Sequence, residues 1–150
     1  MEDNNNGKER LRLDEPPCSS VSDPGERRVL LAEDNPFNRE LAVEMLNMLG
    51  FSVDSVEDGH AATKAFETGV YDLILMDCNM PILDGYEAAR RIRATEIASG
   101  LGKTPIVALT GDSTAECREM CLAAGMDDFL GKPFTLNAMR EMACKWFGDN

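Results

Sequence analysis

Three runs of four consecutive apolar residues punctuate the chain: Val29–Ala32, Leu73–Met76 and Ile106–Leu109. Runs this short and this uniformly apolar predict strands buried on both faces, as inside a parallel sheet. Two weaker segments complete the set. Phe51, Val53 and Val56 form an alternating strand, and Asp128-Phe129-Leu130 a short fifth one. Between the strands, apolar residues recur at helical spacing. They are Leu41, Ala42, Met45, Leu46 and Leu49 before Gly50; Ala61, Ala62, Ala65 and Phe66 before Gly69; and Ala88, Ala89, Ile92 and Ile97. A helix from about Thr114 to Ala124 stops at Gly125, and Leu136, Met139, Ala143 and Trp146 stripe a last one. Glycine directly after a periodic stretch is a natural helix stop.

Five strand–helix units in succession predict an α/β fold, because right-handed crossovers place helices on both faces of a parallel sheet. Of the doubly wound arrangements, five strands suit the flavodoxin-like order 2-1-3-4-5, with five helices. Ligands bind such sheets beyond the carboxyl ends of the strands, where the winding switches direction. The first and third strands flank that point, so Glu33 and Asp34 are expected beside Asp77. Asp77 sits where the third strand runs out, and Pro81 forbids the ladder from continuing.

Residues 1–26 break the pattern. Asn4-Asn5-Asn6, Pro16-Pro17, Cys18-Ser19-Ser20 and Asp23-Pro24-Gly25 surround too few apolar residues for a core element, which predicts a disordered tail or linker. Residues 27–148 are expected to make one domain. No apolar run approaches the roughly 20 residues of a membrane helix, and the start lacks a signal peptide's basic and apolar regions. A cytoplasmic protein is expected, and five cysteines without a Cys-x-x-Cys pair predict reduced thiols. A formal charge of −12 argues against a nucleic-acid partner and fits a carboxylate-rich pocket.

The strand ends carry an unusual set: Glu33-Asp34, Asp77, Thr110 and Lys132. A parallel sheet gathers these on one edge. Three carboxylates there raise one another's pKa unless a cation joins them. Hard oxygen ligands with open positions suit Mg²⁺. An ammonium and a hydroxyl beside the metal match a phosphoryl group, and Asp77 becomes the candidate nucleophile.

These residues resemble a known family. Glu33-Asp34, Met76-Asp77-x-x-Met80-Pro81, Asp84-Gly85, Leu109-Thr110 and Lys132-Pro133-Phe134 are similar, in order and spacing, to the response-regulator receiver domain of two-component signalling. The likeness runs from about Arg28 to Phe147. Glu33-Asp34-Asn35-x-x-Asn38 further resembles receivers attached to hybrid histidine kinases. The resemblance implies that Asp77 accepts a phosphoryl group from a histidine kinase or a histidine-containing phosphotransfer domain. It implies Mg²⁺ held by Asp34, Asp77 and the Asn79 carbonyl, with Glu33 acting mainly through water. Lys132 would hold a phosphoryl oxygen, Thr110 would move to bond another, and Phe129 would take the switch aromatic position. A cis bond before Pro133 would aim the ammonium into the site. Such a domain catalyses its own phosphorylation and dephosphorylation, then switches conformation or passes the phosphate on. It works as a signalling module, expected to be monomeric. Asn38 and Leu41 on the first helix are candidate donor contacts.

Two positions depart from the common pattern. Gly111 follows Thr110 where Ala is more usual, and Phe129 stands where some relatives carry Tyr. Neither removes a catalytic group. The competing readings are an Mg²⁺-dependent phosphohydrolase with an Asp nucleophile and a degenerate receiver that only binds partners. The first generally needs a second acid where Asn79 stands; the second would have lost an acid or the lysine. No glycine-rich phosphate loop follows the first strand, which disfavours a nucleotide-binding module. Cys117 and Cys121, four apart on one helix, are expected to be packing residues rather than zinc ligands with His60 or Cys144. Strand alternation turns Cys78 away from the nucleophile's face.

Overall fold

The computed structural model describes residues 27–80, 82–100, 102–111 and 114–147. The expected N-terminal tail and Pro81 lie outside these residues. Within them the chain alternates strand and helix without a break: β1 (Arg28–Ala32), α1 (Pro36–Met48), β2 (Ser52–Val56), α2 (Gly59–Thr68), β3 (Leu73–Asp77), α3 (Gly85–Ser99), β4 (Ile106–Thr110), α4 (Ala115–Ala123), β5 (Asp128–Gly131) and α5 (Leu136–Phe147). The strands form one parallel sheet in the order β2-β1-β3-β4-β5. The expected doubly wound order is therefore the observed one.

Side chains alternate across each strand, so the sheet divides its apolar residues between two cores. Val29, Leu31, Leu73, Leu75, Val107 and Leu109 pack with Ala42 and Leu46 of α1 and Met139 and Ala143 of α5. Leu30, Ala32, Ile74, Met76, Ile106 and Ala108 face the other way, onto Ala62 and Phe66 of α2, Ala88 and Ile92 of α3, and Cys117 and Cys121 of α4. β3 and β4 are buried along their whole length, as expected for central strands covered on both faces.

Short polar side chains start the helices. Asn35 Oδ1 accepts from the Asn38 amide, Asp58 Oδ1 from Ala61, Asp84 Oδ1 from Glu87 and Thr114 Oγ1 from Cys117. Each satisfies an orphan donor, worth about 1 kcal/mol. Gly125 follows α4 at φ +101°, a conformation that a side chain would strain.

One periodicity-based expectation fails. Ile97, placed on the apolar stripe of α3, is 82% exposed, while its neighbour Glu96 is only 4% exposed. The inward position is taken by an ionic cluster. Arg93 pairs with Glu96 at 2.9 Å and with Asp127 at 2.7 Å, and donates to the carbonyls of Gly125 and Thr104. Glu96 also accepts from the Thr104 amide, and Asp127 from the Ile106 amide. A carboxylate so fully partnered tolerates burial that an unpaired one would not. The cluster ties α3 to the entries of β4 and β5, at the sheet edge opposite the carboxylate ends.

Candidate functional site

Strand register assembles the site. Ala32 lies opposite Met76, so Glu33 follows β1 at the level of Asp77, the last residue of β3. Asp77 in turn pairs with Leu109, one residue before Thr110. Thr110 pairs with Gly131, and the Lys132 amide donates to the Thr110 carbonyl at 2.9 Å. All the residues singled out at the strand ends therefore meet along one edge.

Alternation then sorts them by face. Glu33 and Asp77 continue the rows of Leu31 and Leu75, on the α1/α5 side, and Lys132 continues the row of Leu130. Thr110 and Cys78 continue the rows of Ala108 and Met76, beneath α4. The carboxylates and ammonium share one face, and the hydroxyl approaches from the other.

The charged group is tightly arranged. Lys132 Nζ lies 3.0 Å from Glu33 Oε1 and 3.2 Å from Asp77 Oδ2. The Lys132–Pro133 peptide is cis, as the resemblance implied. Burial alone would lower the ammonium's pKa, but the two carboxylates outweigh it and hold the lysine above its usual value. Asp77, 3% exposed, is pushed up to about 7, first by burial and then by the charge of Glu33. The Asn79 amide, donating to Asp77 Oδ1 at 3.2 Å, and Lys132 oppose the shift without cancelling it. Glu33 is completely buried. Its Oε2 accepts from the Asn35 amide at 3.2 Å, while Oε1 has the lysine in ion-pair range but no hydrogen bond.

These residues fit a divalent cation. Glu33, Asp34 and Asp77 offer carboxylate oxygens that all lie within 4.8 Å of one another. Two of the three side chains are buried and Asp34 is exposed, which leaves an open side for water or substrate. A buried carboxyl group driven toward protonation by burial and by the charge of Glu33, even with Lys132 beside it, marks a place short of positive charge. A hard oxygen set of this kind suits Mg²⁺.

Several supporting contacts were not legible in the sequence. The Arg39 guanidinium donates to the Glu33 carbonyl at 3.0 Å, steadying the turn from β1 into α1. A Cβ on Gly85 would collide with the Asp77 carbonyl, so the glycine of Asp84-Gly85 lets α3 start against the end of β3. The Asp84-Gly85 pair was visible as part of the family pattern; the close approach was not. Tyr86, on α3, reaches the Cys117 sulfur.

The sequence profile of the response regulator receiver domain matches residues 29–143. The chain belongs to this family.

Similar receiver-containing proteins are large. The sensor protein GacS of Pseudomonas syringae pv. syringae is 40% identical over 133 residues, which are 89% of this chain but 14% of GacS. Hybrid signal transduction histidine kinase A of Dictyostelium discoideum is 35% identical over 126 residues, 83% of this chain and 6% of that protein. The chain thus spans a small part of the curated relatives it matches. Among solved structures, the receiver domain of the sensor histidine kinase PA1611 from Pseudomonas aeruginosa superposes with a TM-score of 0.75 at 44% identity. It covers 83% of this chain and 99% of its own, and holds a magnesium ion in its active-site cleft. The Saccharomyces cerevisiae receiver Ssk1, solved in complex with the histidine phosphotransfer protein Ypd1, superposes with a TM-score of 0.77 at 30% identity, over 81% of this chain and 88% of that one.

The other residues considered from sequence fall as follows in this receiver. Phe129 is half-buried against the α2/α3/α4 core. Cys78 is buried on the α4 side, its Sγ 3.9 Å from that of Cys121. His60 is exposed on α2, a different helix from Cys117 and Cys121 of α4 and Cys144 of α5. Among the described residues, the group that could hold a metal is the carboxylate set. No helix of the described residues is long and apolar enough to cross a membrane.

Proposed function

We propose that this receiver takes a phosphoryl group from a phosphohistidine onto Asp77. One observation carries the reading: Asp77 is the carboxylate on which the lysine, the neighbouring acids and the open edge all converge. An Asp77 carboxylate oxygen attacks phosphorus, its bond to phosphorus forms, and the phosphorus–nitrogen bond to the imidazole breaks with the electron pair leaving on nitrogen. Lys132 balances charge on the transferring group from one side, and Thr110 donates to it from the α4 side. Glu33, Asp34, Asp77 and the Asn79 carbonyl would hold Mg²⁺, which supplies further charge neutralisation at the phosphoryl oxygens. Thr110 and Phe129 then report the phosphorylated state.

The magnesium in the PA1611 receiver and the Ssk1–Ypd1 complex support the metal and the type of donor. The donor is a histidine kinase or a histidine-containing phosphotransfer domain, and the setting is cytoplasmic, with residues 27–148 as a monomeric receiver and 1–26 as its tail or linker. The start of α1 borders the acceptor edge. Leu41 packs against the core, so Asn38, with the 74% exposed Phe37 beside it, is the better candidate donor contact.

Treatment with acetyl phosphate and Mg²⁺ should add a single phosphoryl group to wild type and none to Asp77→Asn, read by intact mass spectrometry. Equal labelling of the two proteins would overturn the assignment.

A further inference from the structure

Both residues assigned to the switch touch the same turn of α4. Thr110 faces α4 by sheet parity, and its Oγ1 lies 3.6 Å from the Sγ of buried Cys117, within reach of a hydrogen bond to sulfur. The Tyr86 hydroxyl approaches that sulfur from α3 at 3.7 Å. The next residue, Arg118, holds its guanidinium carbon 5.2 Å from the centroid of the Phe129 ring, in range of a cation–π contact. The turn itself is anchored, since the Thr114 side chain accepts from the Cys117 amide at 3.2 Å. Consecutive side chains of one helix therefore grip two residues on two different strands. A Thr110 hydroxyl that turns to the carboxylate edge leaves the sulfur, and a Phe129 ring that moves inward leaves the guanidinium.

We infer that Cys117 and Arg118 form a latch that holds Thr110 and Phe129 in the resting arrangement. They are positioning residues and touch no reacting atom. The inference rests on the reading of Thr110 and Phe129 as the switch. A ligand that needs Thr110 at the edge binds only the unlatched fraction, so its apparent affinity is lowered by that fraction. Loosening the latch tightens binding, whereas mere structural damage weakens it.

The test is titration of the full chain with beryllofluoride in saturating Mg²⁺, followed by amide chemical shifts. Cys117→Ala and Arg118→Gln should each lower the apparent Kd for beryllofluoride roughly two- to fivefold, the range of one weak hydrogen bond or one exposed cation–π contact. Cys117→Ser, which keeps a donor and an acceptor, should restore an affinity close to wild type. In a Thr110→Val background, Cys117→Ala should bring no gain, because the contact it removes is already gone. Arg118 is exposed, so its variant tests the latch even where Cys117→Ala folds poorly. Unchanged or weaker binding by both single variants overturns the latch, as does a gain that persists in Thr110→Val. A wild-type chain that shows no response to beryllofluoride overturns the switch reading itself.

Discussion

Removing the charge of Asp77 should stabilise the metal-free protein, although it destroys the proposed acceptor. The Asp77 carboxyl rises from 3.8 to about 7, because burial and Glu33 both disfavour its ionised form. A raised carboxyl pKa means that the native state holds its proton more tightly than the unfolded chain. Between about 4 and 7 the native state therefore binds more protons, and stability falls as pH rises through that window. Above it, both states are ionised and the full cost is present. A difference of about three units, at about 1.4 kcal/mol each, sets a ceiling near 4 kcal/mol. Water entering a relaxed site reduces this, so Asp77→Asn should gain about 1–4 kcal/mol at pH 8 without metal. Below pH 4 the gain should vanish, since both states of wild type are then protonated. Urea melts of wild type and Asp77→Asn, in chelator, at intervals from pH 4 to pH 8, measure this directly. The reasoning is refuted if the variant is no more stable than wild type at pH 8, or if both lose stability in parallel across the window.

Two further outcomes follow from the same structure. Mg²⁺ at about 100 times its dissociation constant should raise stability by roughly 2.7 kcal/mol at neutral pH, as binding to the native state alone requires; thermal melts of Asp34→Ala should show most of that gain lost, and a full gain in the variant removes Asp34 from the ligand set. Arg93→Ala, far from the site, should cost about 3–5 kcal/mol in a denaturant melt, because it strands the buried Glu96 without its cation and leaves Asp127 only the exposed Lys103; a loss below about 1 kcal/mol would show that water replaces the guanidinium.

Much of this molecule is determined by local sequence. The three apolar runs, the stripes between them and the polar caps each encode their element independently, because strand and helix differ in side-chain period. Alternating elements then leave few ways to wind the sheet, and winding alone brings Glu33, Asp34, Asp77, Thr110 and Lys132 to one edge. The cis bond before Pro133 was implied by the family pattern, and alternation alone placed Cys78 away from the face that Asp77 shares with Glu33.

Tertiary structure decided what depends on partners distant in the chain. Ile97 gives up its expected inward place to Glu96 because Asp127, delivered by the following crossover, completes a buried ionic cluster around Arg93. The elevated pKa of Asp77 reflects how deeply β3 is covered and how near Glu33 stands, and a list of carboxylates states neither. The need for glycine at position 85 arises only where α3 starts against the Asp77 carbonyl. The grip of Cys117 and Arg118 on Thr110 and Phe129 likewise requires α4 to lie across the ends of two strands. Periodicity assigns each residue to a face of its own element. It carries no information about which charge, carbonyl or ring that face meets, because that depends on how elements far apart in sequence pack together.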